Sequence, residues 1–249
     1  MSVTEDTFTQ DYLLNGRITI RQPVNGYRVA IDPIFLAAAV DAKEGDTILD
    51  IGAGVGAAAL CLALRQPHCK ITGLEIQRDY VRLASQNIDL NHLKGRVEML
   101  NGDLLRPPPR LAAGTFSHVM TNPPYLEGHK GRSSPNADRN IANQEDEVSL
   151  EAWARFSLLM VKPKGTVTFI HRADRLDHIM AYFSGKLGNM VIYPLWPGKD
   201  KPAKRILVSG VKNMSGPLKL SQGMYLHEAD GKFTRAAESI LRDGERLEL

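Results

Sequence analysis

The chain is predicted to fold as an α/β domain, a mostly parallel sheet with helices on both faces. Three observations carry that expectation. From Asp46 onward short apolar runs alternate with helical ones, the rhythm that builds parallel strands joined by crossover helices. Gly52, Gly54 and Gly56 cluster at the first strand-to-helix turn. And the apolar run Phe116 to Met120 stops abruptly at Asn122-Pro123-Pro124-Tyr125. Proline offers no ladder donor and fixes φ, so those four residues hold a rigid turn and cannot continue a central strand.

The elements follow in order. Leu14-Asn15-Gly16-Arg17 before the alternating Ile18-Thr19-Ile20 is a hairpin signal. Asp32-Pro33 then opens an apolar helix to Val40, with Asp as N-cap and Pro at the first helical position. Thr47 to Ile51 is a strand, Gly52 to Gly56 a turn, and Ala57 to Leu64 a helix. Ile71 to Ile76 is the second strand. Tyr80 to Leu90 is the second helix, apolar at Val81, Leu83, Ala84 and Ile88. Val97 to Leu100 is the third strand and Phe116 to Met120 the fourth.

Gly128 to Gln144 has no apolar periodicity and is expected to be a long loop. Ser149 caps a helix to Val161, Thr166 to Ile170 is a strand, and Arg175 to Phe183 a helix. Val191 to Leu195 and Ile206 to Val211 suit an antiparallel pair at a sheet edge. Gly231 to Leu241 reads as a terminal helix.

The 249 residues are 43% hydrophobic and 24% charged, ordinary for a soluble globular protein. No apolar run approaches the roughly 18–20 residues that span a bilayer. The acidic, polar start Met1 to Asp6 is not a signal peptide. Cys61 and Cys69 have no Cys/His partners at metal-ligand spacing, so no metal site is expected. Two isolated thiols fit a cytoplasmic, reducing compartment. A net charge of +3 is too mild to establish a nucleic-acid partner, so that argument needs local clusters.

The glycine turn lets the backbone approach a ligand closely, and the helix N-terminus behind it favours an anion. Glu75 ends the second strand, where an acid can accept from both hydroxyls of a ribose. Asp103, after Asn101-Gly102, either forms a turn or accepts from an adenine amino group. Gly-x-Gly-x-Gly after Asp50 departs from the Gly-x-Gly-x-x-Gly dinucleotide fingerprint. A dinucleotide would also give Asn122 to Tyr125 no role. That turn carries an amide, free carbonyls and a flat ring, and it is shaped to hold a planar molecule bearing an NH2.

Asp50-x-Gly52-x-Gly54-x-Gly56, Glu75, Asp103 and Asn122-Pro123-Pro124-Tyr125, in this order and spacing, resemble the class I S-adenosylmethionine-dependent methyltransferases. The resemblance runs from about Asp46 to Val211. It implies a Rossmann-like seven-stranded sheet with the last strand antiparallel, and S-adenosyl-L-methionine as cofactor. Asp50, Gly52, Gly54 and Gly56 would hold its methionine end, Glu75 the ribose and Asp103 the adenine, with Gln22 and Asn122 also in contact.

In this family Asn-Pro-Pro-Tyr marks methylation of a planar exocyclic nitrogen: adenine N6, cytosine N4, guanine N2 or a glutamine amide. Such a nitrogen is a poor nucleophile. The Asn122 oxygen and the Pro123 carbonyl can stabilise positive charge developing on it. Tyr125 can stack on the acceptor plane, worth roughly 1–3 kcal/mol for a base.

Gln22-Pro23-Val24-Asn25-Gly26-Tyr27-Arg28 with Asp32 to Ala37, and the tail Leu226 to Thr234, further resemble the bacterial tRNA adenine-N6 methyltransferases. Those act beside the anticodon of a valine tRNA. The first 45 residues are too short for the helical domain of the glutamine methyltransferases. No insertion matches the target-recognition segment of the DNA enzymes.

The expected organisation is one domain over 1–249: an N-terminal hairpin and helix in 1–45, a catalytic core in 46–212, and a C-terminal strand and helix in 213–249. Lys199, Lys201, Lys204 and Arg205 in one loop, and Lys130 and Arg132 in the loop after Tyr125, are the candidate RNA contacts. The competing readings are an rRNA base or protein amide as acceptor, and a cofactor-binding module without catalysis.

Overall fold

The computed structural model describes residues 8–25, 28–125 and 149–249. Its strands are β1 (Phe8–Leu13), β2 (Ile18–Pro23), β3 (Thr47–Ile51), β4 (Lys70–Glu75), β5 (Val97–Asn101), β6 (Phe116–Thr121), β7 (Val161–Arg172), β8 (Leu187–Trp196), β9 (Arg205–Lys212), β10 (Lys219–Leu220) and β11 (Met224–Tyr225). Its helices are α1 (Asp32–Ala39), α2 (Ala57–Arg65), α3 (Arg78–Leu90), α4 (Leu150–Met160), α5 (Leu176–Phe183) and α6 (Arg235–Leu241). The loop expected over Gly128 to Gln144, with Lys130 and Arg132, lies outside the described residues, as does Tyr27.

Nine strands form the main sheet, in the order β10, β8, β9, β7, β6, β3, β4, β5, with β11 also on β8. Seven of them are long, and β9 alone runs antiparallel to its neighbours β7 and β8. The Rossmann-like architecture is thus as expected, with two short strands, β10 and β11, where one strand was expected in 213–249.

The antiparallel pair β8–β9 lies at the end of the row of long strands, as expected, with β9 on the inside between β7 and β8 and only the two-residue β10 and β11 beyond β8. Ile206, Leu207 and Val208 are 2%, 0% and 1% exposed, and a continuous apolar run of that kind belongs in a strand covered on both faces. The terminal helix begins later than expected, at Arg235, because a bridge between His227 and Phe233 holds the preceding turn.

Alternation along the strands sends neighbours to opposite layers. Ile48, Met120, Ile170 and Leu207 face a core shared with α1, α2 and α6. Leu49, Val119, Phe169 and Val208 face one shared with α4 and α5. Ser149 caps α4 by accepting from the Ala152 N–H. β1 and β2 form the expected antiparallel hairpin. Two amides spaced one turn apart, Asn87 on α3 and its C-cap Asn91, substitute for a further strand along β2. Asn87 exchanges hydrogen bonds with the Arg21 backbone at 2.7 and 2.9 Å, and Asn91 with the Thr19 backbone at 2.9 and 2.7 Å. An edge strand that would otherwise invite pairing is closed in this way.

Parallel strands bring their carboxyl ends to one rim, which collects Asp50, Glu75, Asn122 and Arg172. The reversed β9 delivers its amino end to that same rim, and Arg205 sits opposite Arg172 in the ladder. At the other rim the His118 Nε2–H donates to Asp46 at 3.0 Å, and its Nδ1 accepts from the Thr166 hydroxyl. Burial lowers the His118 pKa, so the imidazole is neutral and the contact with Asp46 is a hydrogen bond. Burial opposes ionisation of Asp46, but the Lys43 N–H, Ser117 and His118 together hold its carboxyl down at about 2.

Candidate cofactor and acceptor site

A cavity of about 650 Å³ opens at the carboxyl rim, well within the range of small-molecule sites. Asp50, Gly52, Gly54, Glu75 and Asp103 line one part of it, and Asn122, Pro123, Pro124 and Tyr125 another. Folding therefore brings together motifs that the sequence spreads over 76 positions (50 to 125).

The glycines of the first turn have three different reasons. Gly52 has φ +69°, and a Cβ there would stand 2.5 Å from the Trp153 ring. Gly54 has φ +56° and open space where a Cβ would be, so its backbone is bare toward the cavity. Gly56, with φ +89°, is the N-cap of α2 and rests on Ala84. It shapes the turn without lining the cavity.

Asp50 is 2% exposed. Burial pushes its carboxyl up to about 8, against the pull of the Ala59 N–H and with help from the nearby Glu75 charge. Its Oδ2 is buried with no hydrogen-bond partner. An orphaned acidic oxygen at a cavity wall is suited to a cationic group. Glu75 is also buried, and each oxygen takes one backbone N–H: Oε2 from Gly54 at 2.9 Å and Oε1 from Gln77 at 2.8 Å. Both oxygens keep a lone pair for a diol. Asp103 lies just past β5 and accepts from the Leu105 N–H at 2.8 Å. It is at once a turn former and a wall of the cavity. An ammonium, a diol and an adenine amino group would each find a partner here, so the residues present fit S-adenosylmethionine.

At the other part of the cavity, the buried strand β6 ends at Thr121 and the two prolines hold the turn that follows. Tyr125 is fixed from three sides. Its hydroxyl donates to Asp32 and lies 3.1 Å from the Asn122 Oδ1. The Arg205 guanidinium lies over its ring at 4.5 Å, and the His171 ring meets it at 90° with centroids 5.1 Å apart. A base stacking on the Arg205 side would have to displace that guanidinium. Burial pushes the His171 imidazole down to about 4, so it is neutral here.

Three expectations change. Asp32 is not the N-cap of α1; Ile31 is. Its carboxylate, 8% exposed, instead pairs with Arg205 Nε at 2.9 Å. That pairing turns Arg205 inward to the cavity wall, away from the solvent-facing role its loop neighbours keep. Lys199, Lys201 and Lys204 are exposed. Gln22 does not line the cavity. Its Nε2 donates to Asp11 and its Oε1 accepts from the Val29 N–H, each at 2.8 Å. It ties the hairpin to the segment carrying Val29, which does line the cavity.

Sequence reasoning passed over Asp32 as a site residue, and also Trp153, His171 and Arg172. Trp153 and Arg172 line the cavity, and His171 packs on Tyr125. Trp153, His171 and Arg172 belong to no local motif, and the segment Asp32 to Ala37 gives Asp32 no role of its own. Only the antiparallel direction of β9, had its neighbour been known, would have pointed to the Arg172–Arg205 juxtaposition.

Comparison with known proteins agrees with this geometry. The family model for the Methyltransferase small domain matches residues 29–147. A protein of Shewanella halifaxensis named tRNA1(Val) (adenine(37)-N6)-methyltransferase is 28% identical over 230 residues, 88% of this chain and 92% of that one. A Haemophilus influenzae protein of the same name is 28% identical over 229 residues, covering 90% and 94%. The crystal structure of a predicted O-methyltransferase from Agrobacterium tumefaciens superposes with a TM-score of 0.72 at 23% identity, covering 87% of this chain and 98% of that one; it shows the shared fold. With the glycine turn, the acidic strand ends and the Asn-Pro-Pro-Tyr turn around one cavity, the chain has the Rossmann-like methyltransferase fold and is similar to the methyltransferase small domain family.

Proposed function

We propose that the protein is an S-adenosylmethionine-dependent methyltransferase acting on N6 of an adenine in tRNA, beside the anticodon of a valine tRNA. The observation that carries this reading is the meeting of Asn122 and Tyr125 with Glu75 and Asp103 in one cavity. Relatives alike over nearly their whole length are named for that reaction.

When bound, the cofactor supplies a methyl group on a sulfonium sulfur. Asp50 would hold the ammonium of its amino-acid end, Glu75 its ribose hydroxyls and Asp103 its adenine. Asn122 Oδ1 and the Pro123 carbonyl accept the two N–H groups of the target amine. They hold its lone pair toward the methyl and stabilise the positive charge that grows on nitrogen. No side chain has to remove a proton beforehand; the methylated nitrogen sheds it afterwards. Lys199, Lys201 and Lys204 are exposed in the loop that leads to Arg205 and contact the RNA backbone. Among the described residues no helix is long and apolar enough to cross a membrane, which accords with a cytoplasmic tRNA-modifying enzyme.

The test is labelled cofactor with unmodified bacterial tRNA, followed by digestion to nucleosides. N6-methyladenosine is the expected product, and Asn122→Ala should lower kcat by about 100-fold or more. Label in ribosomes or protein with none in tRNA would overturn the acceptor.

A further inference from the structure

Asp32 belongs to none of the cofactor motifs, yet it is 5% exposed and its carboxylate enters the acceptor turn. Both of its contacts use one oxygen: Oδ2 takes the Tyr125 hydroxyl and, at 2.9 Å, Arg205 Nε. The Tyr125 oxygen lies 3.1 Å from the Asn122 Oδ1 position as well. A phenol has one proton and cannot donate to both. A carboxylate is a stronger acceptor than an amide oxygen. The proton therefore goes to Asp32, and toward Asn122 the phenol oxygen can only accept. Oxygen and nitrogen of an asparagine amide exchange places by a half turn that leaves its shape unchanged. The amide atom facing Tyr125 must then be Nδ2, which turns Oδ1 away from the phenol.

We propose that Asp32 is a positioning residue that takes the Tyr125 proton, makes Tyr125 an acceptor for the Asn122 Nδ2, and thereby presents Asn122 Oδ1 to the target amine. This rests on the reading above that Asn122 accepts from the amine. Without Asp32, the Tyr125 hydroxyl would donate to Asn122 Oδ1 and occupy the oxygen the reaction needs. Arg205 completes the device. Its guanidinium neutralises the buried carboxylate and covers one face of the Tyr125 ring, so the phenol cannot swing away from Asp32 without losing both contacts.

The experiment is a double-mutant cycle on the full-length protein. Asp32→Ala, Tyr125→Phe and the double variant are compared by single-turnover methyl transfer to tRNA, with S-adenosylhomocysteine binding measured in parallel. Asp32→Ala should slow transfer at least 10-fold while the S-adenosylhomocysteine Kd stays within twofold. Asp32→Asn, which keeps an oxygen in place, should recover part of the rate. In the Tyr125→Phe background Asp32→Ala should cost less than a further twofold, because the relay is already cut. Losses that multiply, or an Asp32→Ala enzyme of undiminished rate, would overturn the proposal. If Asp32→Ala does not fold, Asp32→Asn with Tyr125→Phe forms the cycle, and the smaller loss expected of Asp32→Asn should vanish in the Tyr125→Phe background, whereas losses that multiply would overturn the proposal. Asn122→Ala separates the two levels. Full activity in that variant defeats the underlying reading, whereas loss there with an unaffected Asp32→Ala defeats only the relay.

Discussion

Glu75 is set before any ligand arrives. One of its oxygens holds the glycine turn through the Gly54 N–H and the other starts α3 through the Gln77 N–H. A glutamine there keeps the volume but offers one oxygen, and its NH2 then faces a backbone donor. Leaving a buried donor unsatisfied costs about 1–3 kcal/mol, so Glu75→Gln should weaken S-adenosylhomocysteine binding by about 10- to 100-fold in calorimetry. Unchanged affinity would show that Glu75 serves the turn alone. At this scale the motif residues are legible in the sequence because each sits at a strand end or in a turn of distinctive chemistry. Their partners are not. Asp32 lies 93 positions from Tyr125 and Arg205 lies 173 from Asp32, and nothing local distinguishes a pairing Asp from a helix-capping one. Gln22 shows the converse. A polar residue in a motif-like segment turns out to tie the Asp11 carboxylate to the Val29 N–H.

The strands of the core are legible as elements because a parallel sheet covered on both faces demands continuous apolar runs, and Phe116 to Thr121 is buried at all six positions. Their order is legible only in part: the short loop points to an antiparallel edge pair, but which of β8 and β9 lies inside does not show in the sequence. Only burial decides, and burial is a property of the assembled sheet. The position of β9 has a consequence for the loop that precedes it. Because Arg205 begins the strand and is drawn inward by Asp32, the loop from Pro197 to Lys204 is anchored at the mouth of the cavity, with Lys199, Lys201 and Lys204 exposed. Replacing these three lysines with alanine should weaken tRNA binding and reduce the slope of log K against log salt by about 2, since each phosphate contact contributes roughly 0.7–0.9. The Kd for S-adenosylhomocysteine should stay the same. Filter binding at several salt concentrations decides it; an unchanged slope would remove the loop from the RNA interface.

In the whole molecule, buried histidines and a buried aspartate set opposing pH limits. The His171 pKa falls from 6.5 to about 4 through burial, and burial lowers that of His118 as well. Their contributions to stability are complete above pH 6.5 and are lost as pH falls through the folded values. Asp46, held at about 2, extends the loss below 3.8. Asp50 has the other sign. Its pKa rises from 3.8 to about 8 on burial, so its contribution is complete below 3.8 and is lost as pH climbs to about 8. Between about 4 and 6.5 the loss at His171 offsets the gain at Asp50 and the lowered pKa of His118 tips the sum toward loss as pH falls, while from 6.5 to about 8 Asp50 governs the slope. The ligand-free protein should be most stable near pH 6.5, with a thermal midpoint that declines on both sides, by about 2–4 °C for each kcal/mol. A cationic amino group placed beside Asp50 favours its ionised form and lowers its folded pKa. Saturating S-adenosylhomocysteine should therefore abolish the decline between pH 6.5 and 8 while leaving the acid limb intact, and its binding in that window should release a proton. Asp50→Asn, which can still accept from the Ala59 N–H, should abolish the same decline without ligand. Melting curves from pH 4 to 8.5 on the two proteins, with and without ligand, test both statements. A decline above pH 6.5 that survives in Asp50→Asn would mean that another group, and not the orphaned carboxyl at the cofactor end of the cavity, governs the alkaline side.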